Sequence, residues 1–221
     1  MRASKTKSPL RGIAIILLGR PGSGKDTQAE LLAKKFGLVH IISSKIIRRA
    51  LASFEKNIRL DGEIYNIERE CELQKGGSLN TFSFVAALIK NEIKKVARDK
   101  KGIIMSASPR SLVELREEWP LLNKFYGKDN VYFFDVVISP NEVYIRNLKR
   151  RRKDLPELDT RKVIKKRLAV FMKNTWPVIK LLKKQKKIID INGEQKIMKI
   201  HKDILKVLKN TWQSQSKAKK K

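Results

Sequence analysis

Apolar residues in this chain gather in short runs that are separated by longer stretches of mixed polarity. Each run is only a few residues long and is followed by glycine, serine or asparagine. Runs of this kind are typical of parallel strands that are buried on both faces. The pattern predicts strands at Ile13–Leu18, Leu38–Ile42, Gly102–Met105, Val131–Ile138 and Ile188–Ile191.

Between these runs, apolar residues recur every three or four positions, which is the period of a helix with one buried face. Glycines and prolines mark several of the ends, and Gly37 stands where a helix C-cap is expected. Strands that alternate with helices predict an α/β fold with a central parallel sheet covered on both faces. The predicted helices span Gly24–Phe36, Ser44–Phe54, Gly62–Gln74, Thr81–Arg98, Asn141 into the basic run Arg150–Lys153, Thr160 to about Lys184 with a kink at Pro177, and a last helix ending near Lys209.

The length and composition fit one folded domain with short polar ends. The chain has 221 residues, of which 41% are hydrophobic, enough for a core and too many for a disordered chain. Residues 1–10 are predicted to form a basic flexible arm and residues 210–221 a basic flexible tail. The folded domain then covers residues 11–209.

Several classes of protein are excluded by what the chain lacks. The single cysteine, Cys71, excludes an intramolecular disulfide framework, and two histidines leave little material for a histidine-rich metal site. No apolar run approaches the roughly 20 residues that span a bilayer, and the N-terminal apolar stretch is too short for a secretion signal. The expectation is a cytoplasmic protein that does not enter a membrane.

The charge of the chain points to an anionic partner. Lysine and arginine number 51 against 22 acidic residues, which gives a net charge of +29. Such an excess favours binding to nucleotides, nucleic acid or an anionic membrane.

The segment Gly19–Thr27 carries the clearest chemical signal in the chain. It follows the first predicted strand and opens the first predicted helix, which is the context of a phosphate-binding loop. Glycines let backbone N–H groups approach an oxyanion, and the positive end of the helix dipole adds to the attraction. Lys25 can reach the β- and γ-phosphates of a bound nucleotide. The loop residues assigned to ATP binding are Gly22, Ser23, Gly24, Lys25, Asp26 and Thr27.

Asp26 departs from the general phosphate loop, in which serine or threonine follows the lysine and holds Mg²⁺. An acidic residue here has three possible effects: it caps the helix, repels the phosphates, or assists the metal.

The segment Gly19–Ala29, with the sequence GRPGSGKDTQA, closely resembles the signature of the adenylate kinase family of nucleoside monophosphate kinases. That family has glycine where this chain has Asp26. The resemblance extends over roughly residues 11–209. It implies a three-layer P-loop fold with an inserted monophosphate-binding lobe, about 43–80, and a short lid, about 150–162.

The resemblance also implies a set of phosphate-binding side chains. In the segment HIISSKIIR, Ser43 and Arg48 fall on the family's acceptor-binding hydroxyl and arginine, while Lys45 replaces an aspartate. In Ser106–Arg110, Arg110 falls on a second acceptor-phosphate ligand, and Ser106 replaces the aspartate that organises Mg²⁺ through water. On the donor and lid side, the resemblance implies that Arg146 binds ATP. It implies that catalysis uses Arg150 and Arg167 together with Lys25 and Arg110. Pro156 replaces an arginine of the family's lid.

Glu114 falls where the family has a glutamine that reads the adenine edge. A carboxylate only accepts hydrogen bonds, and guanine offers two adjacent donors whereas adenine offers one. This position therefore leaves room for GMP as well as AMP.

The resemblance implies transfer of the γ-phosphoryl group of ATP to a nucleoside monophosphate, AMP by family likeness. Mg²⁺ is expected as cofactor, held mainly through the nucleotide phosphates and water, without a protein metal site. We expect a monomer. The alternatives are a diverged ATPase that associates with nucleic acid through the basic tail, and a catalytically weak nucleotide-binding protein.

Overall fold

The computed structural model describes residues 12–53, 55–75, 79–150 and 159–218. The predicted N-terminal arm and most of the predicted lid lie outside these residues. Within them, a central sheet of parallel strands runs in the order β2-β5-β1-β6-β7. Its strands are β1 (Ala14–Leu18), β2 (Val39–Ile42), β5 (Ile103–Ser106), β6 (Val131–Val137) and β7 (Ile188–Asn192).

The described helices connect these strands and cover both faces of the sheet. A 3₁₀ turn, Lys128–Asn130, precedes β6, and a π-helical turn, Phe171–Thr175, separates α7 from α8. The helices are α1 (Lys25–Phe36), α2 (Ser43–Leu51), α3 (Ile67–Lys75), α4 (Phe82–Arg98), α5 (Leu112–Tyr126), α6 (Pro140–Arg150), α7 (Arg161–Val170), α8 (Trp176–Lys184) and α9 (Ile197–Ala218).

Strand β1 shows how the sequence divides the core into two layers. Its side chains alternate between the faces of the sheet. Ile16 packs into the cluster with Phe84 and Ile89 of α4, and Ile15 packs into the cluster with Leu32 of α1 and Ile204 of α9. Both clusters are fully buried, so β1 has no polar face. The predicted three-layer α/β arrangement is confirmed.

The segment between α2 and α3 differs from the prediction. A helix is predicted from Gly62, but residues 57–66 form an antiparallel hairpin, β3 (Asn57–Leu60) and β4 (Glu63–Asn66). Asp61 and Gly62 form its two-residue turn, both at positive φ. An Asp-Gly turn with this geometry matches the twist of paired strands, and it prevails over the helical pattern. Helix α3 begins only at Ile67.

The last helix is longer than predicted. It continues to Ala218 instead of ending near Lys209. Trp212 gives the reason: its ring packs edge-on against Phe36 and its Nε1 donates a hydrogen bond to the Tyr132 hydroxyl at 3.1 Å. This contact ties residues 210–213, which the sequence analysis assigns to the tail, to the sheet layer.

Candidate functional site

The phosphate loop occupies the carboxyl end of β1, and its packing against β6 and α6 leaves no room for side chains at two of its glycines. A Cβ on Gly19 would lie 2.6 Å from the Val136 carbonyl oxygen of β6. A Cβ on Gly22, which has φ +83°, would collide with the Asn147 amide. Ser23 is buried and its hydroxyl has no partner among the described residues, whereas Thr27 is exposed. The glycine spacing therefore reflects close packing against β6 and α6.

Asn147 on α6 holds the loop and was not predicted from the sequence. Its Nδ2 donates to the Val143 carbonyl at 2.7 Å and to the Pro21 carbonyl at 3.4 Å. Its Oδ1 accepts from Arg167 Nη1 at 3.4 Å. One buried amide thus connects the loop, α6 and α7. In the sequence, this role of Asn147 is indicated only by its place between Arg146 and Arg150.

Arg20 anchors the other side of the loop. Its Nη1 donates to the Ile138 carbonyl at 2.7 Å, and its guanidinium lies 5.9 Å from the centre of the Phe171 ring. Phe171 opens the π-helical turn, so this turn packs directly against the phosphate loop.

The structure brings several predicted cations together around Lys25. The Lys25 ammonium donates to the Arg20 carbonyl at 3.3 Å. Burial lowers the pKa of Lys25 to about 8, and the positive charges of Arg110, Arg167 and Arg150 add to this effect, while Asp26 opposes it. Like charges lower the pKa of a lysine only when they lie near it. Arginines from the loop after β5, from α6 and from α7 therefore lie near enough to Lys25 to act on its charge.

Arg110 is fixed by the loop that carries it. Its Nε donates to the Ala107 carbonyl at 2.7 Å, and its own carbonyl accepts from Thr175 Oγ1 at 3.1 Å. Ala107 has φ +65°, a conformation that favours glycine. The π-helical turn thus contacts both the phosphate loop, through Phe171, and the Arg110 loop, through Thr175.

Glu114 lies behind this loop, where it is buried. Its carboxylate accepts from the Arg110 backbone N–H at 2.9 Å and from the Ser108 hydroxyl at 3.2 Å. It also accepts from the Ser111 hydroxyl, and Ser111 caps α5 in return. Glu114 therefore positions the Arg110 loop instead of facing a base, and the base-reading interpretation of this residue is not supported.

Glu118, one turn further along α5, is also buried. The Ser108 hydroxyl oxygen lies 2.7 Å from the Glu118 Oε1, and the Glu118 Oε2 has no partner among the described residues. Burial, together with the nearby charge of Glu114, raises the pKa of Glu118 well above its usual range.

Arg146 and the acceptor residues lie around the edge of this cluster. Arg146 Nε pairs with Glu142 at 2.6 Å and its Nη2 donates to the Gly193 carbonyl at 2.8 Å, which places the guanidinium beside the end of β7. Ser43 opens α2 and is buried, and its hydroxyl has no partner in the described part of the chain. Arg48, one turn on, is exposed and donates to the Ser44 carbonyl at 3.3 Å.

Asp26 lies in the first turn of α1, beside the end of β5. Burial raises the pKa of its carboxyl, but Lys25, a hydrogen bond from Ser106, His40 and Arg110 lower it more, so the group is ionised. The Ser106 hydroxyl is in turn 2.9 Å from His40 Nε2. Asp26 and Ser106, two of the positions that depart from the family pattern, are therefore near enough to interact.

The predicted lid cannot be compared in full. Arg150 ends α6, and residues 151–158, with Pro156 and the basic residues after Arg150, lie outside the described residues. Among the residues that are described, no helix is long and apolar enough to cross a membrane, and no group of three or more acidic, histidine or cysteine side chains is placed to hold a metal ion.

Comparison with known proteins places these features in one family. The adenylate kinase family profile matches residues 17–187. An adenylate kinase from Bacteroides thetaiotaomicron is 28% identical over 81% of this chain and 89% of its own length. One from Prochlorococcus marinus is 29% identical over 86% of this chain and 95% of its own length. Adenylate kinase 1 from a Nostoc species is 30% identical over 82% of this chain and 90% of its own length.

Proposed function

The chain belongs to the adenylate kinase family of nucleoside monophosphate kinases and is an ATP-binding phosphotransferase, and from this premise we propose that its acceptor is AMP. The observation that carries the proposal is that Arg110, Arg150 and Arg167 lie near enough to Lys25 to lower its pKa. Phosphoryl transfer requires two anionic substrates to be held in line and their charge to be neutralised, more than it requires a protein nucleophile.

The donor side is proposed to use the phosphate loop and Arg146. Backbone N–H groups of Gly22–Lys25 would hold the β-phosphate, with Lys25 between the β- and γ-phosphates. Arg146 is held by Glu142 and the Gly193 carbonyl, which fixes its guanidinium near the end of β7 as part of the ATP site.

The acceptor side is proposed to use Ser43, Arg48 and Arg110. The buried Ser43 hydroxyl, which lacks a partner among the described residues, is available to a ligand. Arg48 is exposed on the same helix, one turn away, and Arg110 is held rigidly by its loop. A guanidinium fork binds phosphate through two parallel hydrogen bonds, which suits both arginines to this task.

The contacts of Glu114 remove the argument for GMP and so favour AMP as the acceptor. Its carboxylate is occupied by the Arg110 N–H and two serine hydroxyls. The sequence argument for GMP depends on a carboxylate that faces the base, and this carboxylate does not. AMP, the acceptor implied by family likeness, is therefore the proposed substrate.

Adenylate kinases use Mg²⁺, and the donor set here fits an ion that enters with ATP. The loop Gly19–Thr27 contains one carboxylate, Asp26, and Mg²⁺ commonly keeps several waters and binds through one or two carboxylates plus substrate phosphates. Mg²⁺ supplies charge neutralisation on the transferred group when it is bound. A monomeric state and a cytoplasmic location stay predictions, and the nucleic-acid-associated alternative is not favoured.

The test is a coupled assay of ADP formation from ATP with AMP, GMP, CMP and UMP in turn. We expect AMP to give the highest rate, and Lys25→Met to lower that rate about 10²-fold or more, since a preorganised charge is lost. Lys202→Met removes an exposed lysine from α9 and serves as the control. A clear preference for GMP, or full activity in Lys25→Met, would contradict the proposal.

A further inference from the structure

The Ser108 hydroxyl lies between two buried carboxyl groups on successive turns of α5. Its oxygen is 2.7 Å from the Glu118 Oε1 and 3.2 Å from the Glu114 Oε2. Ser108 and Glu114 are each 1% exposed, and Glu118 is 0% exposed. A hydroxyl donates only one hydrogen. Two hydrogen bonds at Ser108 therefore need a second hydrogen, which must come from one of the two carboxyl groups.

The donors around Glu114 show which of the two groups is better suited to carry that hydrogen. The Glu114 carboxylate accepts from the Arg110 backbone N–H at 2.9 Å and lies within hydrogen-bond distance of the Ser108 and Ser111 hydroxyls. Three donors favour the ionised form of a carboxyl group. Glu118 has Ser108 alone, and its Oε2 has no partner in the described part of the chain. A buried charge without partners costs far more than a buried neutral acid, so the donor set favours a proton on Glu118.

The charges on the elements around α5 agree with this assignment. Lys90 of α4 pairs with two other carboxylates, and Lys183 of α8 pairs with Asp135 of β6. These lysines are therefore engaged elsewhere. Burial, followed by the negative charge of Glu114, raises the pKa of Glu118 well above its usual range, which also favours the neutral acid.

We propose that Glu118 is a positioning residue for the phosphoryl acceptor, and that its carboxyl group donates a proton to Ser108 and so fixes the loop that carries Arg110. The hydrogen bonds run from Glu118 to Ser108, from Ser108 to Glu114, and from the Arg110 N–H to the same Glu114 oxygen. Two of the three residues Ser108–Arg110 are thereby held against α5. The inference rests on the proposed function, since it concerns the role of Arg110 at the acceptor phosphate.

The proton matters because Ser108 has one hydrogen to give. If Glu118 were ionised, it would attract that hydrogen, since it lies nearer to Ser108 than Glu114 does. Glu114 would then lose a donor and face a second buried negative charge. The Arg110 loop would be held less firmly, and ordering it on binding would cost affinity for the acceptor.

Infrared difference spectroscopy at pH 7 on the full chain tests for the proton. The spectrum of the wild type minus that of Glu118→Gln should contain the C=O band of a protonated carboxylic acid, which lies apart from the bands of carboxylates. Glu117→Gln changes the adjacent, exposed side chain of α5 and is the control, which should give a carboxylate band. A carboxylate band for Glu118 would overturn the proposal.

Steady-state kinetics test the positioning role. Glu118→Gln keeps an N–H donor for Ser108 and should leave the KM for AMP within about two-fold of the wild-type value. Glu118→Met removes the donor and keeps the length of the side chain. It should raise the KM for AMP about five-fold, the effect of one lost hydrogen bond, and leave the KM for ATP unchanged. A purely structural role would not separate the two KM values.

The outcomes separate this inference from the proposed function. An unchanged KM for AMP in folded Glu118→Met, or an equal rise in Glu118→Gln, would overturn the inference and leave the kinase assignment intact. If Glu118→Met does not fold, the infrared measurement decides. If the wild type forms no ADP from ATP and AMP, the proposed function fails and the inference fails with it.

Discussion

Lys25 provides a prediction that depends on the electrostatics of the whole site. Burial and the nearby arginines lower the pKa of its ammonium to about 8 in the nucleotide-free protein. Bound phosphates supply the opposite charge and restore the pKa toward its usual value near 10.4. ATP binding must therefore be accompanied by uptake of a proton wherever part of the Lys25 population is neutral.

The size of this uptake follows from the pKa. With a pKa of about 8, roughly half of the Lys25 side chains are neutral at pH 8 and about nine tenths at pH 9. Binding should take up about half a proton at pH 8 and about 0.9 at pH 9. Because the folded protein must be protonated to bind tightly, ATP affinity should fall about five-fold between these two pH values.

Isothermal titration of Mg·ATP in buffers of different ionisation enthalpy measures the uptake directly. Phosphate esters have a second pKa near 6, so the nucleotide itself is fully ionised at pH 8 and above. Lys25→Arg is the matched control, since a guanidinium keeps its charge throughout this range. Absence of uptake by the wild type at pH 9, or equal uptake by Lys25→Arg, would refute the reasoning.

Three further predictions concern the loops that hold the site. Glu118 has a raised pKa in the folded state, so the stability it contributes is present below about pH 4.5 and declines as the pH rises, by at most about 1.4 kcal/mol per pH unit. Urea denaturation at pH 5.5 and 7.5 should show a smaller loss of unfolding free energy for Glu118→Gln than for the wild type. Equal losses in the two proteins would contradict this prediction. Ala107→Gly relieves a left-handed backbone at φ +65°. The gain should exceed the entropy cost of glycine and stabilise the folded protein by about 0.5–1 kcal/mol. A loss of stability on urea denaturation would argue against strain at Ala107. Gly22→Ala collides with Asn147 and should weaken ATP binding about ten-fold or more. Gly62→Ala is the control, because Gly62 has φ +90° and lies in the hairpin turn with open space around it. This substitution should strain the backbone and leave ATP binding unchanged.

The sequence was sufficient for the parts of the fold that local pattern determines. The strands β1, β2, β5, β6 and β7 were all predicted because buried parallel strands have distinctive apolar runs. The hairpin at Asp61–Gly62 was missed because its turn lies between residues that also fit a helical period. Helix α5 was not assigned, and Pro120 lies within it, where a proline normally argues against a helix.

The candidate site contains both residues that local motifs predict and residues whose roles depend on contacts across the fold. Lys25 and the arginines around it were predicted because their motifs specify residue type and spacing. Asn147 and Arg20 were missed because their roles come from contacts made across the fold, to the Pro21 and Ile138 carbonyls. The sequence could not show that the Glu114 carboxylate is buried against the Arg110 loop.

The central claim is that the cations around Lys25 serve transfer between two nucleotides rather than hydrolysis of one. Quantifying every product of a reaction that contains Mg·ATP and AMP tests this most directly, for example by phosphorus NMR. The account predicts two ADP for each ATP consumed, equal loss of AMP, and no free phosphate. One ADP and one inorganic phosphate for each ATP, with AMP unchanged, would contradict it.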